Sequence, residues 1–310
     1  MTTWAEPRQA VYLKDNLSGE TVQVGAFDAS LPGPGNQMAL LQDGFTTLGV
    51  PALDRCLASP APWITIDEIG YLEAQSRPYH DALRRLMEKK QVAAVIRKQD
   101  LPFLQELLHR DDAFVVDLDA PFGRIGCVVM ASGMGKRFGG NKLMADFHGQ
   151  PLISRILDAT EGIFAQRVVV TRHEDVSQLC QSRDIPTVLH SLPHRNDTVR
   201  LGLEALQDID CCMFTPADQP LLRQDTIAAL ALASANAPDM MWRTMCGDTP
   251  GSPVVFPQWA FAALRSLPEG KGGGVIIKKN PERLRTVNVR DMDELRDVDS
   301  PEDLQALLER

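Results

Sequence analysis

Apolar and polar positions along the 310-residue chain fall into two successive series in which short apolar runs alternate with amphipathic stretches. In the first, Trp63-Ile64-Thr65-Ile66 is a strand-length run ending at Asp67-Glu68-Ile69-Gly70. Tyr79, Leu83, Leu86 and Met87 then recur at helical spacing, residues 92–96 read as a strand, and Phe103, Leu104, Leu107 and Leu108 mark a second helix before a strand at 113–116. This β-α-β-α-β order predicts a parallel sheet covered by helices. Residues 17–50, rich in Gly, Pro and Ser, carry only weak strand signals, and 117–124, with Pro121 and Gly123, reads as a linker. The second series predicts strands at 125–131, 167–171, 187–189, 211–215, 240–245 and 284–289. Its clearest helices are 152–160, 198–206 and 226–235, and a last one opens at Ser300-Pro301-Glu302-Asp303 with a capping serine and acids in the first turn. The expected organisation is two α/β domains, 1–121 and 122–310.

Composition narrows the function classes. Apolar residues make up 44% and charged residues 24%, enough for a packed core. No apolar run approaches the roughly 18 residues of a spanning helix, and the N-terminus has no basic segment followed by an apolar stretch, so neither a membrane protein nor a secretory leader is expected. The net charge of −9 comes without a basic block, which argues against nucleic acid or anionic lipid as partner. The six cysteines form no C-x-x-C pair and no zinc spacing, so reduced thiols in a cytoplasmic protein are expected. Cys211 and Cys212, adjacent in a strand, should face opposite ways.

The chemistry concentrates where the second series begins. The strand at 125–131 runs into Ala131-Ser132-Gly133-Met134-Gly135-Lys136-Arg137-Phe138-Gly139-Gly140-Asn141-Lys142. Glycines let backbone N–H groups approach a polyphosphate, and cations neutralise it. A Walker A loop needs G-x-x-x-x-G-K-[ST], but Met130 stands at the first glycine and Arg137 at the hydroxyl position. A dinucleotide G-x-G-x-x-G fails at Phe138. The stretch instead resembles the signature loop of the MobA-like nucleotidyltransferases, roughly L-A-A/G-G-x-S-x-R-M/F-G-x-x-K, followed by Gly149, Pro151 and Leu152 for the downstream G-x-P-L. It departs at Ser132, where Ala or Gly is usual, and at Gly135, where Ser is usual.

Further motifs extend the likeness over about residues 124–310. Asp218-Gln219-Pro220 resembles the family's D-Q-P, Gly251-Ser252-Pro253 its G-x-P, and Asp297-Val298-Asp299-Ser300-Pro301-Glu302-Asp303-Leu304 its D-I-D-T-P-E-D-L. Arg195-Asn196-Asp197-Thr198-Val199 is similar to the R-x-D-S-V of the isoprenoid-pathway cytidylyltransferase, which lies beside the nucleotide. D-Q-P together with the last motif points to the molybdenum-cofactor cytidylyltransferase (MocA-like) branch. The resemblance implies a Rossmann-like fold with a mainly parallel sheet, and transfer of CMP from CTP to a molybdopterin-type molybdenum cofactor with release of pyrophosphate. A cytidylyl- or guanylyltransferase acting on another small phosphate, such as a sugar or polyol phosphate, and a non-catalytic cofactor carrier or insertion chaperone serving a molybdoenzyme, are the alternatives. It implies nucleotide contacts from Ala131, Ser132, Gly133, Gly135, Arg137, Lys142 and Thr198, with Arg137 and Lys142 neutralising the phosphates during catalysis. A single Mg²⁺ would be held by Asp218 and Asp297, with Asp299 open as the alternative ligand or as a helix cap.

In the first domain, Ile64-Thr65-Ile66-Asp67-Glu68-Ile69-Gly70, continued by Leu72 and Glu73, resembles the Walker B strand of a small P-loop nucleoside-triphosphatase family. Residues 1–66 hold no Walker A loop, since Gly33-Pro34-Gly35-Asn36 lacks a following G-K-[ST]. A degenerate P-loop-like domain used for structure or docking is the expectation.

Overall fold

The computed structural model describes residues 2–6 (backbone only), 10–28, 30–31, 38–41, 43–135 and 137–309. The loop Gly33-Pro34-Gly35-Asn36 and Lys136 lie outside the described residues. The chain divides into two compact units, Met1–Phe114 and Val115–Arg310.

The first unit opens with an antiparallel sheet of β1 (Thr2–Glu6), β2 (Ala10–Lys14), β3 (Thr21–Phe27) and β4 (Met38–Leu40), in that order. Then come α1 (Val50–Ala58), β5 (Trp63–Ile69), α2 (Arg77–Met87), β6 (Gln91–Ile96) and α3 (Pro102–Leu108), with β5 and β6 paired in parallel as the alternation predicts. Tyr79, Leu83 and Leu86 of α2 are at most 1% exposed. They form the face that the i, i+4, i+7 spacing marks, each buried side chain contributing about 2 kcal/mol.

Residues 17–50, where the strand signals are weak, supply β3 and β4, two of the four strands of the antiparallel sheet. One expectation for this region is corrected. Residues 113–116 form no strand: Phe114, Val115 and Val116 are exposed, and the Val115 N–H donates to the Asn236 side chain at 2.7 Å, not to a neighbouring strand.

The second unit contains β7 (Ile125–Ala131), a short hairpin of β8 (Asp146–Phe147) and β9 (Gln150–Pro151), α4 (Ser154–Ala159), β10 (Gln166–Thr171), α5 (Glu174–Ser182), β11 (Thr187–Leu189) and α6 (Arg195–Glu204). It continues with β12 (Cys211–Pro216), α7 (Gln224–Asn236), β13 (Met241–Cys246), β14 (Thr249–Pro257), α8 (Phe261–Arg265), α9 (Gly274–Lys279), β15 (Leu284–Asn288) and α10 (Pro301–Leu308). The main sheet has the order β11-β10-β7-β12-β14-β13-β15, and β14 alone runs against its neighbours. This is a mixed α/β fold built on a large, mostly parallel sheet.

Alternation along the strands fills both faces. Cys127, Val129, Cys211 and Met213 enter one core, while Val128, Cys212 and Phe214 enter the other. Cys211 and Cys212 therefore point to opposite sides, and both are free thiols. Helix α6 lies close against β7 because Gly202 has no side chain: a Cβ there would sit 2.5 Å from Val128. The helix starts at Arg195 rather than Thr198, since the Asp197 carboxylate accepts the His194 backbone N–H and moves the cap three residues upstream. Strand β14 was absent from the predicted strands because Pro250, Gly251, Pro253 and Pro257 interrupt its apolar signal.

Strands β7, β10 and β11 follow one another outward in one direction, whereas β12 returns to the other flank of β7. The switch leaves a crevice outside the carboxyl ends of β7 and β12, the position where open α/β sheets bind ligands.

Candidate active site

That crevice is a cleft of about 460 Å³. Its lining includes Ser132, Gly133, Lys142, Thr198, Asp218 and Asp297, six residues that the sequence singled out from four separate segments. Gly251-Ser252-Pro253 lies within β14 and brings Ser252 to the same cleft.

Lys142 occupies the centre of the charge network. Asn141 caps the short turn that carries it, accepting the Leu143 N–H, and the lysine folds inward so that the residue as a whole is 6% exposed. Its ammonium donates to Asp218 Oδ2 at 2.6 Å and to Asp299 Oδ1 at 3.0 Å. Burial would pull the Lys142 pKa down, but Asp218 and Asp299 outweigh it and hold the pKa above the ordinary lysine value. Arg137 reaches the other oxygen of Asp299 at 2.9 Å, so Arg137 and Lys142 of the glycine-rich loop are both tied to carboxylates. Asp297 stands beside this group and accepts from Gln219 Nε2 at 2.9 Å. Burial raises its pKa, reinforced by the charges of Asp218 and Asp299 and opposed by Gln219 and Lys142.

Asp299 is not the helix cap. Ser300 takes that role, accepting the Asp303 N–H while Asp303 accepts the Ser300 N–H, and Asp299 is left free to face Lys142 and Arg137. Among the described residues no group of three or more His, Cys, Asp or Glu side chains is arranged to hold a metal ion. The donors at hand, Asp218 and Asp297, suit a hard cation that takes one or two protein carboxylates and completes its shell with water and phosphate oxygens.

Two loop residues are placed differently from the rest. Ala131 is 1% exposed, with its side chain in the core and its carbonyl accepting from the Thr171 hydroxyl at 3.0 Å. Gly135 lies in a turn at φ +55°, where a Cβ would meet the Gly140 carbonyl oxygen at 2.5 Å. That contact explains why glycine stands at Gly135 where the family pattern carries serine. Ala131, Gly135 and Arg137 do not line the cleft, and Arg137 connects to it through Asp299.

The sequence reading missed Arg172, which lines the cleft at the end of β10, and His173 and His190, which contact the loop. Their signal was available in one form: charged or imidazole residues immediately after the parallel strands at 166–171 and 187–189.

Residues 127–285 match the family described as the MobA-like NTP transferase domain, which is just over half of the chain. The chain belongs to the MobA-like NTP transferase family. Residues 18–121 match the family described as NTPase. Two relatives are 3-deoxy-manno-octulosonate cytidylyltransferases. The protein of Neisseria meningitidis serogroup A is 39% identical over 62 residues, 20% of this chain and 24% of that one. The Helicobacter pylori (strain G27) protein is 32% identical over 105 residues, 32% of this chain and 42% of that one. The chain thus spans less than half of the length of either relative, 24% of one and 42% of the other. The crystal structure of Rv0371c from Mycobacterium tuberculosis H37Rv shares the fold, with a TM-score of 0.54 at 21% identity over 60% of this chain and 99% of that chain.

In the NTPase-like unit, Asp67 and Glu68 fall near the end of β5. Arg97 lies 2.7 Å from Glu68. Glu73 is 2% exposed, accepts the Gly70 N–H at 2.8 Å, and is pushed by burial up to about 7. No helix among the described residues is long and apolar enough to cross a membrane.

Proposed function

We propose that the MobA-like part of the chain, from about residue 122, is a nucleotidyltransferase that moves CMP from CTP to the phosphate of a molybdopterin-type molybdenum cofactor and releases pyrophosphate. The observation that carries this reading is Lys142 held between Asp218 and Asp299 at the switch point of the sheet, beside Asp297. A phosphate of the acceptor attacks the α-phosphorus of CTP; the new P–O bond forms as the bond to pyrophosphate breaks. The protein's part is to orient the two phosphates and oppose their charge. Glycine-loop backbone groups and Thr198 hold the nucleotide, while Lys142 and Arg137 turn from carboxylates to phosphate oxygens. Asp218 and Asp297 would hold Mg²⁺, which, when bound, neutralises phosphate charge.

The likeness to two cytidylyltransferases supports CTP, and the same likeness favours a second reading with a sugar acid as acceptor. The resemblance of Asp218-Gln219-Pro220 and the 297–304 segment to the MocA-like branch supports the molybdenum cofactor. The NTPase match ending at residue 121 supports a domain division there, with the first domain a degenerate P-loop module, its Glu68 engaged by Arg97.

Pyrophosphate release measured with CTP and with GTP, each against the molybdenum cofactor and 3-deoxy-manno-octulosonate, tests the reading. Release with CTP and the cofactor is expected. Better use of GTP overturns the nucleotide assignment, use of the sugar acid overturns the acceptor, and no release with any pair overturns catalysis.

A further inference from the structure

Three consecutive residues of the glycine-rich loop are tied by side chains and backbone to the ends of the two neighbouring strands. The Ala131 carbonyl accepts from Thr171 Oγ1 at 3.0 Å, and that same hydroxyl accepts the His173 N–H at 3.1 Å. Ser132 Oγ lies 3.0 Å from the Val170 carbonyl and 2.9 Å from His190 Nε2. The Gly133 carbonyl lies 2.8 Å from His173 Nε2.

Donor counting fixes the direction of the chain around His190. Leu192 N–H donates to Nδ1 at 3.2 Å, so the proton of the neutral ring sits on Nε2 and is donated to Ser132 Oγ, whose own proton goes to Val170. Burial first, then the charges of Arg172 and Arg200, lower the His190 pKa against the pull of Asp197, which favours this neutral form. His173 donates in the same sense, because a carbonyl can only accept. With the Gly133 carbonyl held on one side, the trans peptide fixes the following Met134 N–H on the other. Gly133 and Met134 both line the cleft, and their N–H groups donate to no other described residue.

We propose that His173 and His190 are positioning residues of the nucleotide loop: they pin its carbonyl and hydroxyl groups so that the Gly133 and Met134 amides stay free to donate to the phosphate groups of the nucleotide. Ser132, where the family pattern carries Ala or Gly, supplies the hydroxyl that makes His190 useful in this way. The inference rests on the proposed nucleotidyl transfer for the identity of the anion, whereas the brace itself is a property of the free protein.

The experiment uses the full chain. Nitrogen-15 NMR of the His190 ring without nucleotide should show the Nε2-protonated neutral tautomer, and Ser132→Ala should shift it. A ring protonated on Nδ1, or one indifferent to Ser132→Ala, overturns the brace. In kinetics with CTP and Mg²⁺, His190→Ala and Ser132→Ala should each raise KM about five- to tenfold, the loss of one hydrogen bond. The rise in KM should exceed any fall in kcat, and the double variant should be no worse than either single one. His190→Gln, which keeps a donor near the Nε2 position, should recover most of the loss. Additive effects, failure of the glutamine variant, or unchanged KM overturn the inference. A wild-type chain showing the Nε2 tautomer yet neither binding nor using any nucleotide overturns the proposed function, and the role of the brace with it.

Discussion

Replacing Lys142 with methionine removes one charge and keeps most of the side-chain volume. Removing one member of a buried ion pair costs about 3–5 kcal/mol, because the partner charge is left uncompensated. Here the lysine side chain is 8% exposed, but Asp218 and Asp299 are 22% and 43% exposed, so water reaches the abandoned carboxylates. That exposure discounts the loss to about 2 kcal/mol. With a urea m-value of about 2 kcal/mol/M for a unit of this size, the unfolding midpoint should fall by about 1 M. Amide exchange of β7 and β12 peptides across the urea series reports on the second unit alone. Millimolar Mg²⁺ should return part of the lost stability, since in the proposed site a cation held by Asp218 and Asp297 would take over the neutralisation. Turnover should stay down about hundredfold, the loss expected of one preorganised charge that the proposed transfer turns toward phosphate. A methionine variant as stable as the parent without metal, or one that turns over normally, would refute the reasoning.

Asp218→Ala should abolish metal-dependent pyrophosphate release while the far-ultraviolet circular dichroism stays that of the parent, since the residue lies beyond the end of β12 and outside the core. Glu73→Gln should flatten a pH dependence of the first unit. The folded pKa of about 7 exceeds the ordinary glutamate value of 4.5, so the native state binds the extra proton. Stability is therefore greatest below about pH 4.5 and falls by about 3 kcal/mol as pH rises to 7 and beyond. Urea midpoints at pH 5 and pH 8 check it, and an equal slope in both proteins contradicts it. Ser300→Ala removes the acceptor for the Asp303 N–H and should cost about 1 kcal/mol, read from the same unfolding series.

The second unit was more legible in the sequence than the first. Continuous apolar runs such as Ile125 to Ala131 announce buried parallel strands, and the residues just beyond them mark the cleft. Lys142, Asp218, Asp297 and Thr198, which share the cleft lining, stand out in the sequence by their motif spacing, whereas Arg137, read from the same loop, reaches the cleft only through Asp299. The pairing of these residues was not legible. Nothing in the spacing of Lys142 and Asp299, 157 residues apart, says that one neutralises the other. Ser300 against Asp299 as the cap was left undecided because both are good capping residues. Strand β14 was hidden by its prolines. The antiparallel sheet of the first unit lay in segments too short and too rich in turn formers to show a period. The reverse error came at 113–116, where β-branched and aromatic residues read as strand but had no neighbour to pair with.

The reversed direction of β14 separates the two walls of the cleft in the chain. Loops after β7, β10 and β11 form one wall, and the other is formed by the end of β12, the start of β14 and the segment reaching Asp297. The β13–β14 hairpin, which turns at Gly247 with φ +55°, opens on the same side as Ser252. A hairpin tip can lengthen or change sequence without disturbing strand order or the glycine-rich loop. Change on that side can therefore reshape one wall of the cleft while the wall built by the glycine-rich loop stays constant, so the two walls are free to vary independently.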